Sequence, residues 1–313
     1  MDKDRRRGHR PGVDKTMRYA WIVTANSTYL PSLQAMLNAI EYYEYQCVDV
    51  HIIHDEDIAD YVKSIENDYT FDIIPVPLAE VSKPGHSKPH DYVYSKYKHA
   101  WDIQHVYKAI FHIDCDCLIL ANFEKYFEVA EQGRIIPCAQ FPHTSLVIED
   151  YKRLPQDQVD INTPLANFPI FYNPKYHAGV MKWIWDNQPN ELNSDGARNN
   201  EMYFFNKALF EHGRMDDILV LPGNLWVTDC CWANSPIKPF EYAGKKGIIN
   251  ATFDRVQIMH NKFWKEGVGE GEIERNAGNG PAVEILKGNI KVILDMYRFF
   301  NYKTEKPRKD HHV

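Results

Sequence analysis

Between residues 19 and 76 the chain alternates strand-like and helix-like patterns, and that alternation constrains the fold more than any other feature. "YAWIVTA" (19–25) is an almost unbroken apolar run, the pattern of a strand buried on both faces. Leu33, Met36, Leu37 and Ile40 then recur at helical spacing, with Pro31 where a first turn tolerates it. "VDVHII" alternates as a strand does. Ile58, Tyr61, Val62 and Ile65 mark a second amphipathic helix, and "FDIIPV" reads as a third strand. Strand–helix–strand–helix–strand is the order of a parallel sheet wrapped by helices. With 313 residues, 44% of them hydrophobic, there is material for a proper core in one large domain or two modest ones.

From Pro77 to Asp91 the sequence turns to Pro, Gly, Ser, His and Lys without periodicity, which predicts a long loop. "YSKYKHAWDIQHV" (94–106) reads as a helix leading into a fourth strand, "KAIFHI" (108–113), and Phe123, Phe127 and Ala130 continue as another helix. Residues 140–175 are irregular and proline-bearing, an expected insertion over one face. "HAGVMKWIW" is a further apolar segment, "ARNNEMYFFNKALFEHG" a helix capped at Gly213, and "DILVLP" and "VQIM" late strands. Pro281 opens a last helix with Val283, Leu286, Ile290, Leu294 and Tyr297 on one stripe. The expected organisation is a polar, flexible arm over 1–16, one domain over 17–300 whose final helix spans 280–300, and a flexible tail over 301–313.

Six cysteines (Cys47, Cys115, Cys117, Cys138, Cys230 and Cys231) lack disulfide-framework spacing, so reduced thiols and a cytoplasmic setting are expected. No apolar run approaches the roughly 20 residues of a membrane span. The formal charge of −7 argues against a general nucleic-acid binder, which needs a basic footprint. Oligomeric state is not legible.

The fourth strand runs into "FHIDCDCLIL", which puts Asp114 and Asp116 at its carboxyl end. In an extended chain residues i and i+2 share a side, about 6.6 Å apart, so both carboxylates would face one way. Ligands of parallel α/β sheets sit beyond the carboxyl ends of the strands. Two carboxylates there need a cation or good donors to stay ionised, and a hard ion such as Mn²⁺ or Mg²⁺ meets that need. Cys115 and Cys117 would face the other way. A zinc site built from them with Cys230 and Cys231 is a rival, but C-x-C followed by C-C lacks structural-zinc spacing, and buried cysteines acting as small hydrophobes fit better.

The segment "AIFHIDCDCLILANFEKYFE" resembles the D-x-D region of GT-A nucleotide-sugar glycosyltransferases, in particular the family 8-like branch with glycogenin and galactosyltransferases of the bacterial cell envelope. "VTANSTYLPSLQAMLNAI", "YHAGVMKWI" and "QIMHNKFWKEG" resemble three further family segments in the same order. The resemblance implies a GT-A, Rossmann-like α/β fold with a mixed, mainly parallel central sheet flanked by helices. It implies that Asp116 and His260 bind the metal, with Asp114 on the metal or the ribose. Lys262 or, by preference, Lys265 would neutralise the leaving diphosphate. Asn26 and Tyr29 would meet the nucleotide, one of Lys96 and Lys98 the donor phosphates, and Ala178 and Gly179 the donor by close backbone approach. Glu201, ahead of Asp195, takes the family's acidic position by the donor sugar.

The chain departs from the family's pattern in two places. His177 replaces an asparagine before Ala178, and the glycine and Pro-Trp of the late segment are missing. The implied activity is transfer of a sugar, with retention, from a nucleotide-sugar donor (a UDP-sugar favoured) to a glycan or other hydroxyl acceptor. Alternatives are a nucleotidyltransferase that makes the activated sugar, against which the glycine-free, uncharged "TANSTYLPS" loop counts, and a GT-A-like binding protein without turnover.

Overall fold

A computed structural model describes residues 19–45, 47–137, 154, 165–166, 168–189, 201–219, 236–249, 255–260 and 281–302. The apolar run at the start forms β1 (Tyr19–Ala25), and the alternation continues as α1 (Leu30–Tyr42), β2 (Val48–His54), α2 (Ala59–Ser64) and β3 (Asp72–Pro77). After them come α3 (Leu78–Val81), α4 (Lys88–Asp102), β4 (Ala109–His112), β5 (Cys117–Ile119), α5 (Lys125–Glu131), β6 (Ile136–Pro137) and β7 (Ile170–Tyr172). The later elements are α6 (Ala178–Asn187), α7 (Glu201–Glu211), β8 (Lys238–Tyr242), β9 (Lys245–Ile249), β10 (Arg255–Val256), β11 (Ile258–His260) and α8 (Pro281–Tyr302).

Six strands form the central sheet in the order β3-β2-β1-β4-β7-β6. β3, β2, β1 and β4 are mutually parallel, while β7 runs antiparallel to β4 and to β6. The register follows from burial on alternate faces. Trp21, Val23, Val50, Ile52 and Phe111 belong to the core on the side of α1, α5 and α8, and Ala20, Ile22, Ile53 and Ile110 to the core under α4, α6 and α7. Phe111 stacks on Phe171 with ring centroids 4.0 Å apart and meets Trp21 edge-on at 4.8 Å, which fixes β4 between its neighbours. The last helix docks on α1, where Asn38 Nδ2 donates to the Phe300 carbonyl at 2.9 Å.

One expectation changes. The predicted loop 77–91 is loop only in part: α3 occupies one turn and α4 starts at Lys88, with Pro89 in its first turn. Its inward face is made of His90, Asp91, Tyr94, Ser95, Lys96, Tyr97 and His99, so no aliphatic stripe announces it. The "HAGVMKWIW" segment is helical. Of "DILVLP", Ile218 makes an isolated parallel bridge to Ile135, and the residues after Leu219 lie outside the described ones. Among the described residues no helix is long and apolar enough to cross a membrane.

Candidate functional site

The chain visits β1, β2 and β3 on one side and then returns to place β4 on the other side of β1. That reversal opens a crevice beyond the carboxyl ends of β1 and β4, the place where open α/β sheets bind ligands. Asn26 and Tyr29 follow β1; Asp114 and Asp116 follow β4. Pairing persists one residue past β4, as Ile113 N donates to Ile22 O at 3.2 Å.

Asp114 to Cys117 is a turn closed by Cys117 N donating to Asp114 O at 3.1 Å, so the extended geometry expected for D-x-D does not hold. The segregation of faces holds for another reason. Cys115 and Cys117 drop into the core, and the aspartates stay at the rim. Burial, with Asp116 and Asp114 adding to it, pushes the Cys115 thiol well above its ordinary range. A thiol so held is a core side chain, a poor metal ligand; Cys230 and Cys231 lie outside the described residues.

The charge at the crevice floor comes from α4. Lys96, with 2% of its side chain exposed, reaches Asp114 Oδ1 at 2.7 Å and Glu201 Oε2 at 3.4 Å. Its ammonium also stands 5.6 Å from the centre of the Phe168 ring. Burial alone would lower its pKa, but the two carboxylates outweigh that and hold the ammonium above the ordinary lysine value. Asp114 keeps 42% of its side chain exposed and Glu201 16%, with its Oε2 buried, so the buried cation is covered by one acid at the rim and one largely inside. Glu201 opens α7, where an acidic side chain is favoured by the helix dipole.

A second polar group ties the ends of β1 and β2 together. Asp55 N donates to Ala25 O at 3.4 Å, and the Asp55 carboxylate accepts from Lys88 Nζ at 2.8 Å and Tyr92 OH at 2.7 Å. Those donors pull its pKa below the usual carboxylate value. Asn26 Oδ1 accepts from Thr28 N at 3.0 Å and caps the short turn that carries Tyr29. Sequence reasoning missed Asp55, Lys88 and Tyr92, because α4 was expected to begin later. The one available signal was the acidic "HDED" directly after β2.

Lys98 does not join the site: it pairs with Asp102 one turn along α4. Ala178 and Gly179 stand at the opposite end of the sheet. β7 runs antiparallel to β4, so the segment after it lies beside the amino ends of the parallel strands. There Asn173 Nδ2 donates to Glu131 O, Glu131 accepts from Tyr19 OH and pairs with Lys108, and His177 Nδ1 meets Asn173 O. Gly179 packs closely on His212, whose Cε1 lies 3.0 Å from where a Cβ would be. β11 pairs with β5 so that His260 is opposite Cys117, which brings its backbone beside the D-x-D turn. Asp195, Lys262 and Lys265 lie outside the described residues.

No protein-family model matches the chain, and no curated protein matches it. Solved structures do. The WbbM bifunctional glycosyltransferase aligns over 90% of this chain at 12% identity and a TM-score of 0.51. Mouse xyloside xylosyltransferase 1 aligns over 69% of this chain and 86% of its own at 13% identity, with a TM-score of 0.43. GlyE of Streptococcus pneumoniae TIGR4 aligns over 69% of this chain at 8% identity, with a TM-score of 0.44. This chain spans 53% of WbbM and 48% of GlyE. Its mixed α/β fold, a mainly parallel central sheet flanked by helices, is shared with the WbbM structure.

Proposed function

We propose that the chain is a metal-dependent glycosyltransferase that takes a sugar from a nucleoside-diphosphate donor, a UDP-sugar favoured, and passes it to a hydroxyl acceptor with retention. One observation carries this reading: the buried Lys96 ammonium, held between Asp114 and Glu201 beside a D-x-D turn, at the point where the sheet's strand order reverses. A permanent positive charge and a rim carboxylate together suit a ligand made of phosphate oxygens and a cation.

The donor set fits a hard divalent ion. Asp114 and Asp116 supply oxygen, and the register of β11 brings the His260 backbone to the same turn. Asp116, His260 and Asp114 are the residues that would hold Mn²⁺ or Mg²⁺. When bound, such an ion supplies positive charge to the diphosphate as the bond to the sugar breaks. The protein's own residues do the rest. Lys96 fixes the Asp114 carboxylate and adds a preorganised charge that costs no reorganisation during the reaction. Glu201, anchored to the same ammonium, presents its carboxylate to the donor sugar, and Asn26 and Tyr29 border the nucleoside end. Lys262 or Lys265 takes the leaving diphosphate.

The test is a thermal-shift screen of nucleoside diphosphates with and without Mn²⁺, followed by donor hydrolysis assays. The expected result is Mn²⁺-dependent stabilisation by UDP, slow release of UDP from a UDP-sugar, and loss of both in Asp116→Ala with the fold retained. Unchanged turnover in that variant would remove the assignment, and pyrophosphate release from sugar phosphate and a nucleoside triphosphate would replace it with nucleotidyl transfer.

A further inference from the structure

A second group of ligating side chains stands apart from the D-x-D turn, where the loop after α3 enters α4. One ligand atom each of His86, His90 and Asp91 lies within 4.8 Å of the other two. His90 is 0% exposed, and neither of its ring nitrogens makes a hydrogen bond; the buried Nδ1 of His86 makes none either. A buried polar atom without a partner is costly, and two neighbouring histidines contribute three such atoms here. The rings are held in place by packing. His90 stacks on Tyr94 at 4.6 Å, and His86 stands edge-on to His90 at 4.2 Å.

We propose that His86, His90 and Asp91 form a binding site for a borderline divalent cation, Zn²⁺ fitting best, that fastens the loop to the first turn of α4. The donor chemistry differs from that of the D-x-D turn. Two imidazoles and one carboxylate suit Zn²⁺, whereas oxygen-rich sets suit Mg²⁺ and Mn²⁺. The geometry is close. An ion central to three atoms 4.8 Å apart would lie about 2.8 Å from each, and side-chain rotations of under about 1 Å reach the 2.0–2.1 Å of zinc–nitrogen bonds.

An outer support is also present. The Pro189 carbonyl lies beside the His90 ring, placed to take the proton of whichever nitrogen does not bind metal. Asp91 is 7% exposed and accepts only a long 3.4 Å bond from Lys83 N. The Lys83 ammonium is turned away, toward the carbonyls of Trp185 and Asp186 at the end of α6. Asp91 precedes Lys96 by five residues, about 7.5 Å along the helix, so a cation here would brace the helix that carries the buried ammonium.

The experiment is titration of the full chain with Co²⁺ as a visible-absorption probe, then displacement by Zn²⁺, with thermal unfolding as a second readout. The wild type is expected to show one equivalent of tetrahedral Co²⁺, with a visible spectrum that lacks a thiolate charge-transfer band and stands apart from any ion at the D-x-D turn, and Zn²⁺ is expected to displace it and raise the unfolding temperature. His86→Ala, in the loop and therefore safe for folding, and His90→Ala are expected to weaken binding at least about tenfold, since loss of an outer partner alone costs about 10–100-fold. Asp116→Ala is expected to bind as the wild type does, which separates this site from the proposed donor site. The proposal is overturned if His86→Ala binds undiminished, if Asp116→Ala loses the cobalt spectrum, if a thiolate band appears, or if binding is weaker than about millimolar.

Discussion

Lys96 carries the greatest electrostatic weight of any single side chain in the crevice. A buried ammonium is tolerable only when carboxylates compensate its lost hydration, and Asp114 and Glu201 do so from two different elements, the turn after β4 and the start of α7. The same arrangement makes Lys96 informative to remove. Lys96→Met keeps the length and apolar body of the side chain, and it leaves behind the half-exposed Asp114 and a Glu201 whose Oε2 is buried. Stability is expected to fall by about 3–5 kcal/mol, while kcat for the proposed sugar transfer falls about 10²–10³-fold, the usual loss when one preorganised charge is taken from a transition state. Lys98→Met, two residues away and paired with Asp102, is expected to leave kcat within about twofold. Steady-state kinetics and urea unfolding of both variants check the pair; equal losses in the two would mean that Lys96 acts on folding alone.

At the scale of elements, the strands and helices with aliphatic patterns were legible and those with polar or broken patterns were not. β1, α1, β2, α2 and β3 announce themselves through Trp21, Leu33, Val50 and their neighbours, all in the core. The first turns of α4 escaped because the buried face there is built from His90, Asp91 and Tyr94. The β8–β9 hairpin escaped because its two-residue turn uses Ala243 and Gly244, both at positive φ, where Asn-Gly or Asp-Gly is the usual signal. Asp114 and Glu201, both named from sequence, meet at Lys96 in the structure; the choice between Lys96 and Lys98 stayed open, because two residues of spacing on a helix say only that they diverge.

Gly179 tests one of these element-level readings. Expected beside the donor, it lies at the far end of the sheet against His212, an exposed side chain that can swing aside. Gly179→Ala is therefore expected to stabilise the protein by about 0.5–1 kcal/mol through helix propensity, with the donor KM unchanged. A raised KM for the donor at unchanged stability would restore the close-approach role.

Across the whole molecule, buried histidines set how the fold meets acid. Tyr107 OH donates to Asp49 Oδ2 at 2.8 Å, so it must accept from His51 Nε2, also at 2.8 Å, and His51 Nδ1 must accept from His99 Nε2 at 2.8 Å. Every proton in this buried chain points toward Asp49, and neither ring can gain a proton without losing a bond or bringing a charge into the core. Burial holds His51 down to about 3, with His99 adding to it, and holds His99 to about 4 against the opposing pull of Asp102. Their unfolded values are near 6.5. Stability is thus complete above that value and falls as the pH drops toward 4, because the unfolded chain takes up protons that the folded one refuses. At pH 5 each ring costs about 2 kcal/mol relative to neutral pH. Asp55, whose pKa is lowered, adds its own loss only in the more acidic range where that carboxylate protonates, so the two windows separate. His99→Gln can still donate to His51 but cannot charge. Urea unfolding from about pH 7.5 to about pH 5 should show a clear loss of stability in the wild type and roughly 2 kcal/mol less of it in His99→Gln. An identical pH profile in the two proteins would move the acid sensitivity to other groups, of which the buried His112 and His177, both lowered by burial, are the next to substitute.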